Sequence, residues 1–336
     1  MGKRKSYACQ KLGTTLNFLP DKINFCCSCA EGPHIKYKKG KKLNIKKIIN
    51  SEKGFITKLK YGIIPFECLG CIDYIEKNYK NVWDLIFSKS DSLLITDIVV
   101  NHFKQCDCNC IYCAQKIIWG DKINQNYELL PLIKELYANN AIDTKKLKVE
   151  FQGGNVSVLD EFEPVMKEFL DNGCRKFLIL TNGIKYLPII EEASFRSVIE
   201  LQISLDCGTK ETFQKIKQVD AFDKVIENIK EFSLKTNAVI SLKYIILKDI
   251  NDNFEEVEKF LEIVRSLKCI DSVCFDIDYR DILLEKGQKF DIPPVYYEII
   301  DKARSFLREN HINFMIAPYA NQYLEKNKPQ RTNEEN

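Results

Sequence analysis

The chain has 336 residues, 45% hydrophobic and 29% charged, with a formal net charge of +3. That balance suits one large or two modest globular domains and excludes wholesale disorder. No run approaches the roughly 18 to 20 apolar residues that span a bilayer, and Met1–Lys11 lacks the apolar stretch and cleavage site of a secretory signal. A cytoplasmic chain with no membrane partner is expected.

Charge is uneven. Residues 1–60 hold 15 Lys and Arg against 3 Asp and Glu, an excess of +12 that leaves −9 for the rest. Such a segment is either a solvated lysine-rich face or a surface for nucleic acid, an acidic peptide or a phosphate-bearing substrate. These first residues show little periodicity and read as a small, loop-rich, cysteine-rich domain over 1–90, held together by metal. A short helix is expected within 72–90, where Tyr74, Ile75, Val82, Trp83, Leu85 and Ile86 fall.

From Asp91 apolar, β-branched runs alternate with amphipathic stretches. Strands are predicted at Leu93–Val100, Leu147–Phe151, Lys176–Leu180, Val198–Leu205, Val239–Leu247 and Ser272–Ile277. Helices are predicted at Tyr127–Tyr137, Asp160–Asp171, Ala221–Lys235, Phe254–Leu267 and Val295–Glu309, with Gly173 placed to end the Asp160 helix. Strands each followed by a helix give an α/β class with a parallel sheet. About 230 residues, 91–320, are fewer than the roughly 250 of a full eight-fold barrel, so an open or partial barrel is expected. Residues 321–336 read as a polar tail.

Chemistry in such folds sits beyond the C-terminal ends of the strands, and the suspicious residues do follow strands. There are 14 cysteines. In a reducing compartment, clustered cysteines bind metal or do redox chemistry rather than pair. Cys106, Cys108, Cys110 and Cys113 follow the first strand; Cys26, Cys27, Cys29, Cys68 and Cys71 form an earlier group. Cys9, Cys174, Cys207, Cys269 and Cys274 are scattered and read as small core residues or idle thiols.

Cys106, Cys110 and Cys113 are spaced C-x3-C-x2-C. Three thiolates from one loop can grip three irons of a [4Fe–4S] cubane and leave the fourth open, whereas an ordinary electron-transfer cluster takes four cysteines. The alternative is zinc, with Cys108 or His102 completing four closed ligands. Gly153-Gly154, Thr181-Asn182-Gly183 and Asp206 are each by themselves a turn or a helix cap. Lys243 and Asp276, on late strands, either face the cavity or are structural polar residues.

Taken together and in order, these motifs resemble the radical S-adenosylmethionine (SAM) superfamily over residues 91–320. The cysteine motif has an aromatic, Tyr112, before its last cysteine. Phe151-Gln152-Gly153-Gly154-Asn155 looks like the family's Gly-Gly-Glu stretch. Thr181-Asn182-Gly183 and Ile203-Ser204-Leu205-Asp206 look like its third- and fourth-strand motifs. The resemblance implies a partial (β/α)6, TIM-like barrel and an oxidoreductase or maturase type of enzyme. Cys106, Cys110 and Cys113 would hold the cluster, and SAM would chelate its open iron. Tyr112 would lie on the adenine. Gly153 and Gly154 would admit the methionine end, with Ser204 and Asp206 near the ribose or methionine. An electron would cleave SAM to a 5′-deoxyadenosyl radical that takes hydrogen from the substrate. Asn155 departs from the family's Glu: an amide offers an acceptor but no charge to the SAM ammonium. Cys108 is not expected as a ligand.

Cys26-x2-Cys29 and Cys68-x2-Cys71 form a second metal set, with Cys27 as an alternative ligand. Zinc is the default for that spacing. The stretches KINFCCS and IPFECLGC resemble the SPASM or twitch auxiliary-cluster module, which would make this a second [4Fe–4S] cluster lying before the barrel instead of after it. The expected substrate is a peptide or protein side chain, or a sugar. The expected partner is an electron donor such as flavodoxin or ferredoxin. The alternatives are a zinc-stabilised, non-catalytic binding protein and a radical SAM enzyme that modifies RNA, though a nucleic-acid partner is not the expectation. No Walker-type loop, Ser–His–Asp set or H-E-x-x-H occurs, and His34, His102 and His311 are the only imidazoles.

Overall fold

A computed structural model describes residues 7–9, 14–25, 34–36, 45–61, 74–76, 94–113, 115–116, 127–278, 280 and 292–327. In chain order these give β1 (Tyr7–Cys9), β2 (Thr15–Phe18), β3 (Lys22–Asn24), β4 (His34–Lys36), α1 (Ile45–Lys60), β5 (Tyr74–Glu76) and β6 (Asp97–Val100). Then follow α2 (Leu130–Ala138), β7 (Lys148–Phe151), α3 (Phe162–Asp171), β8 (Lys176–Thr181), α4 (Ile189–Arg196), β9 (Val198–Ser204), α5 (Lys210–Lys217) and α6 (Phe222–Lys235). The rest is β10 (Val239–Ile246), α7 (Phe254–Leu267), β11 (Ser272–Ile277), α8 (Pro294–Glu309), β12 (Asn313–Ile316) and α9 (Pro318–Lys326). Among the described residues no helix is long and apolar enough to cross a membrane.

The chain divides into two compact units: residues 1–105, 122–179 and 196–198, and residues 106–121, 180–195 and 199–336. In the first, β8, β7, β6 and β2 pair in parallel, and β3 and β4 extend the edge antiparallel. The parallel sheet therefore begins at Thr15, well before the run predicted from Leu93. A segment as polar as TLNF reaches the sheet because its backbone ladder with β6 takes Thr15 and Asn17 into the interior, at 1% and 4% exposure. Tyr74–Glu76, expected to be helical, pairs with β1 as a strand; the remainder of 72–90 lies outside the described residues, as do Cys26, Cys27, Cys29, Cys68 and Cys71. Aromatics fill this core: Phe151 meets Phe162 edge-on at 5.0 Å and Phe169 at 6.5 Å. Gly173 ends α3 as expected, in a left-handed turn at φ +93°.

In the second unit β9, β10, β11 and β12 are all parallel. Side chains alternate across a strand. One face of β10 and β11 carries Tyr244 and Phe275, which pack on Phe260 of α7 at 4.8 and 6.3 Å. The other face carries Lys243 and Asp276, so these runs are not apolar on both sides. The α/β class with mostly parallel strands is as the sequence predicts, and from β6 onward strands alternate with helices. β12 and α9 were not predicted, and α9 carries helix to Lys326, into the expected tail.

One buried amide ties the loops after β9 and β10. Asn251, with no exposed surface, accepts from Leu247 N (2.6 Å) and donates to the carbonyls of Asp206 and Ile245 (2.8 Å each). An unsatisfied buried polar group costs about 1–3 kcal/mol. Asn251→Ala is therefore expected to lose about 2–4 kcal/mol and to lower the melting midpoint by roughly 5–15 °C in a calorimetric scan. An unchanged midpoint would remove Asn251 from this role.

Candidate functional site

The bend after β6 gathers thiols. Cys106, Cys108 and the intervening Asp107 bring their ligand atoms within 4.8 Å of one another, and Cys108 Sγ bridges Cys106 and Cys110 by hydrogen bonds. Those bonds lower the Cys106 thiol. They also bring Cys110 down to about 6, where burial opposes and the charge of Lys217 assists. Cys108 is correspondingly driven up, because it keeps the proton that the other two give up. A motif with two cysteines leaning toward thiolate fits a group held by thiolates. Cys113 N donates to Cys110 O (3.3 Å), closing the turn.

The bend is fastened from several directions within its unit. Asn182, beyond β8, donates to Asp107 Oδ1 (2.6 Å) and Cys108 Sγ (3.1 Å). Asn109 N and Ile111 N donate to the carbonyls of Lys217 and Ile216, both at 3.0 Å. Arg280 Nη1, beyond β11, donates to Ile111 O (2.7 Å) while Asp278 grips the guanidinium.

Tyr112 hangs from a buried triad. Its hydroxyl donates to Asp206 Oδ2 (2.6 Å) and accepts from Lys217 Nζ (2.7 Å); Lys217 is also paired directly with Asp206. Asp206 and Lys217 are 0% and 1% exposed. Burial works against the Lys217 ammonium, but Asp206 and Cys110 outweigh it and hold it above its usual range. Burial and Asp206 push the Tyr112 hydroxyl far up, so it stays a neutral donor. Asp206 has φ +62°, and its Oδ1 accepts from Ile245 N (2.9 Å). Asp206 does not cap α5; Thr209 does, accepting from Thr212 N (3.2 Å). Ser204 sits half-buried at the end of β9, opposite Lys243 in register. Lys243 pairs with Asp276 at 2.6 Å, and that carboxylate more than reverses the effect of burial and raises the ammonium.

Gly153, Gly154 and Asn155 belong to the other unit. A Cβ on Gly154 would lie 2.1 Å from Gln105 O, and one on Gly153, at φ +116°, 2.8 Å from Phe103 O. Both glycines are thus demanded by the backbone leading into the cysteine bend. Asn155, 1% exposed, donates from Nδ2 to Ser157 Oγ (2.6 Å) and from its backbone to Gln105 O (2.8 Å). His102, weighed as a zinc ligand, is fully buried with Nε2 2.6 Å from Glu161. The same carboxylate accepts from Leu129 N (2.9 Å) and Leu130 N (3.2 Å) at the start of α2. Burial raises the Glu161 carboxyl, and the hydrogen bond and charge of His102 with these two amides bring it below its usual value.

Sequence reasoning missed Lys217, Arg280 and Glu161. Lys217 had one available signal: with Phe213 and Ile216 it falls at i, i+3, i+4 on the apolar stripe of α5. Cys174, Cys207 and Cys274 are buried free thiols, as expected; burial raises Cys174 and Cys274 to about 11.

Residues 100–264 match the family model described as the Radical SAM superfamily. A probable GTP 3′,8-cyclase of Saccharolobus islandicus is 26% identical over 173 residues, 52% of this chain and 54% of that protein. The match thus spans about half the length of that curated relative. The GTP 3′,8-cyclase of Helicobacter pylori is 27% identical over 251 residues, 69% of this chain and 75% of that protein. Among solved structures, Streptococcus suis SuiB bound to the precursor peptide SuiA is similar with a TM-score of 0.52 and 15% identity, over 80% of this chain and 62% of that one. Native anSMEcpe with bound AdoMet is similar with a TM-score of 0.51 and 17% identity, over 67% of this chain and 64% of that one. At these identities the structural likeness concerns the fold.

The depressed Glu161 carboxyl stabilises the fold fully above the unfolded glutamate value of about 4.3. That contribution fades as pH falls through the folded value. Melting midpoints of the wild type and Glu161→Gln are therefore expected to differ most near neutrality and to converge on acidification. A gap that stays constant with pH would show that the ionised carboxylate contributes nothing.

Proposed function

We infer that this chain, which carries a radical SAM domain over residues 100–264, is an enzyme that removes a hydrogen atom from its substrate by radical SAM chemistry. The thiols of Cys106, Cys108 and Cys110, drawn together in the bend after β6, support this reading most directly. With a [4Fe–4S] cluster and SAM bound, the site would supply one electron to the sulfonium and yield methionine and a 5′-deoxyadenosyl radical.

Cys106, Cys110 and Cys113 are proposed to hold the cluster. Cys108 is proposed not to be a ligand; its Sγ accepts from Asn182 Nδ2 at 3.1 Å. Tyr112 is proposed to present its backbone and ring to the adenine, with its hydroxyl tethered so that the ring cannot swing. Asp206 acts there through Tyr112, since its own oxygens are engaged by Tyr112, Lys217 and Ile245 N. Gly153, Gly154, Asn155 and Ser204 are proposed to receive the rest of SAM. Cys26, Cys29, Cys68 and Cys71, with Cys27 as alternative, are proposed to hold a second cluster, zinc being the other candidate. The reductant is proposed to be a flavodoxin or ferredoxin.

For the substrate, the GTP 3′,8-cyclase relatives favour a purine nucleoside triphosphate over the peptide, protein or sugar expected from the sequence. The +12 excess in residues 1–60 suits a triphosphate. The peptide reading has only a likeness of fold behind it.

Anaerobically reconstituted protein is expected to be brown. Cys106→Ala/Cys110→Ala/Cys113→Ala should bind about four irons fewer, one cubane. With dithionite and SAM, 5′-deoxyadenosine measured by mass spectrometry is expected to rise when GTP is added and to be absent in the triple variant. Colourless zinc protein, or iron content unchanged in that variant, would defeat the cluster assignment. GTP having no effect would defeat the nucleotide assignment.

A further inference from the structure

Lys217 is out of place for its residue type. Lysine is almost never fully buried unless paired, and a buried ion pair seldom stabilises a fold more than apolar residues of the same volume. A lysine serving only the core would be replaceable. This one is devoted to the cysteine bend. Its ammonium meets Asp206, donates to Tyr112 Oη at 2.7 Å and lies 5.2 Å from the centre of the Tyr112 ring. Its carbonyl receives Asn109 N, and that of Ile216, one residue earlier, receives Ile111 N. The last turn of α5 thus touches the bend at two amides, one hydroxyl and one aromatic face.

We propose that Lys217 is a positioning residue for the cluster-binding bend, fixing residues 109–112 and setting a permanent positive charge within electrostatic reach of Cys110. The proposal rests on the cluster assignment above but adds to it a residue outside the cysteine motif. Two consequences follow. Tyr112 is the mechanical link, so severing its hydroxyl frees the bend while leaving the Lys217–Asp206 pair intact. The two charges also pull in opposite senses on a cluster held at Cys110. A nearby cation favours the more negative, reduced cluster and raises its potential; a nearby anion lowers it.

The test uses the full chain, reconstituted anaerobically without SAM. Lys217→Met is expected to move the cluster midpoint, followed by electron paramagnetic resonance during a redox titration, to more negative values. Asp206→Asn is expected to move it to more positive values, and Lys217→Arg to leave it at the wild-type value. A merely structural pair would give no shift, or shifts of one sign from common loosening; either result overturns the electrostatic half. Tyr112→Phe, which removes no charge and should fold, covers the case in which Lys217→Met does not. It is expected to release iron to a chelator about tenfold faster, the worth of one hydrogen bond to a charged group, with the Lys217–Asp206 pair retained and a melting midpoint only a few degrees lower. Wild-type release kinetics in Tyr112→Phe would overturn the positioning half. If the wild-type chain itself takes up no iron at this bend, the failure lies with the cluster assignment and not with Lys217.

Discussion

A fully buried carboxylate governs the C-terminal unit. Asp206 is wholly buried and sits in a left-handed backbone conformation. That conformation costs an L-residue on the order of 1 kcal/mol, and a glycine would avoid the cost. Glycine, however, would forfeit the charge that Lys217, Tyr112 and Ile245 N all require. Hydrogen bonds to charged groups contribute about 1.5–3 kcal/mol each, so the strain is small against what it makes possible. An ionised carboxyl left unpaired in this place would be far more costly. The loop after β9, the end of α5 and the cysteine bend are therefore formed together or not at all.

This coupling explains how a bend with little regular structure of its own can be definite. Its amides go to α5, one carbonyl to Arg280, the Asp107 side chain to Asn182 and the Tyr112 ring to the triad. Asn182, Asp206 and Arg280 come from the loops beyond β8, β9 and β11, and Ile216 and Lys217 from the last turn of α5. Parallel strands all end on the same side, so residues far apart in sequence converge without a long-range fold being designed around each one. The glycines of the other unit obey a related constraint. At Gly154 the backbone passes so near Gln105 O that any side chain would force the approach to the bend outward.

What the sequence could disclose followed from periodicity and spacing. Six of the seven strands described from 91 onward were legible because hydrophobic patterning is a local property, and so was the cysteine motif. β2 and β3 were not, since Thr15, Asn17, Lys22 and Asn24 are polar residues buried by pairing partners elsewhere in the chain. Lys217 lies on the apolar stripe of α5, but what holds its charge there is not visible until a carboxylate eleven residues away is known to face it. His102 could be weighed as a metal ligand only because Glu161, which occupies its Nε2, lies 59 residues further along. Buried polar pairs are invisible to sequence patterns for this general reason: each half looks exposed until the other is found.

Asn155 is the clearest case of a departure that the local physics explains. A glutamate carboxylate at 1% exposure would need a cation to balance it, and before any cationic ligand arrived the fold would carry that burden alone. The amide carries no charge, and Ser157 Oγ and Gln105 O satisfy its side chain and its backbone at 2.6 and 2.8 Å. Stability of the Gly153–Asn155 turn is then independent of whatever binds beside it. The exchange sacrifices a charge–charge attraction toward an ammonium and leaves a dipole in its place. The proposed SAM site would therefore draw more of its hold from metal chelation and from shape than a carboxylate-bearing site would.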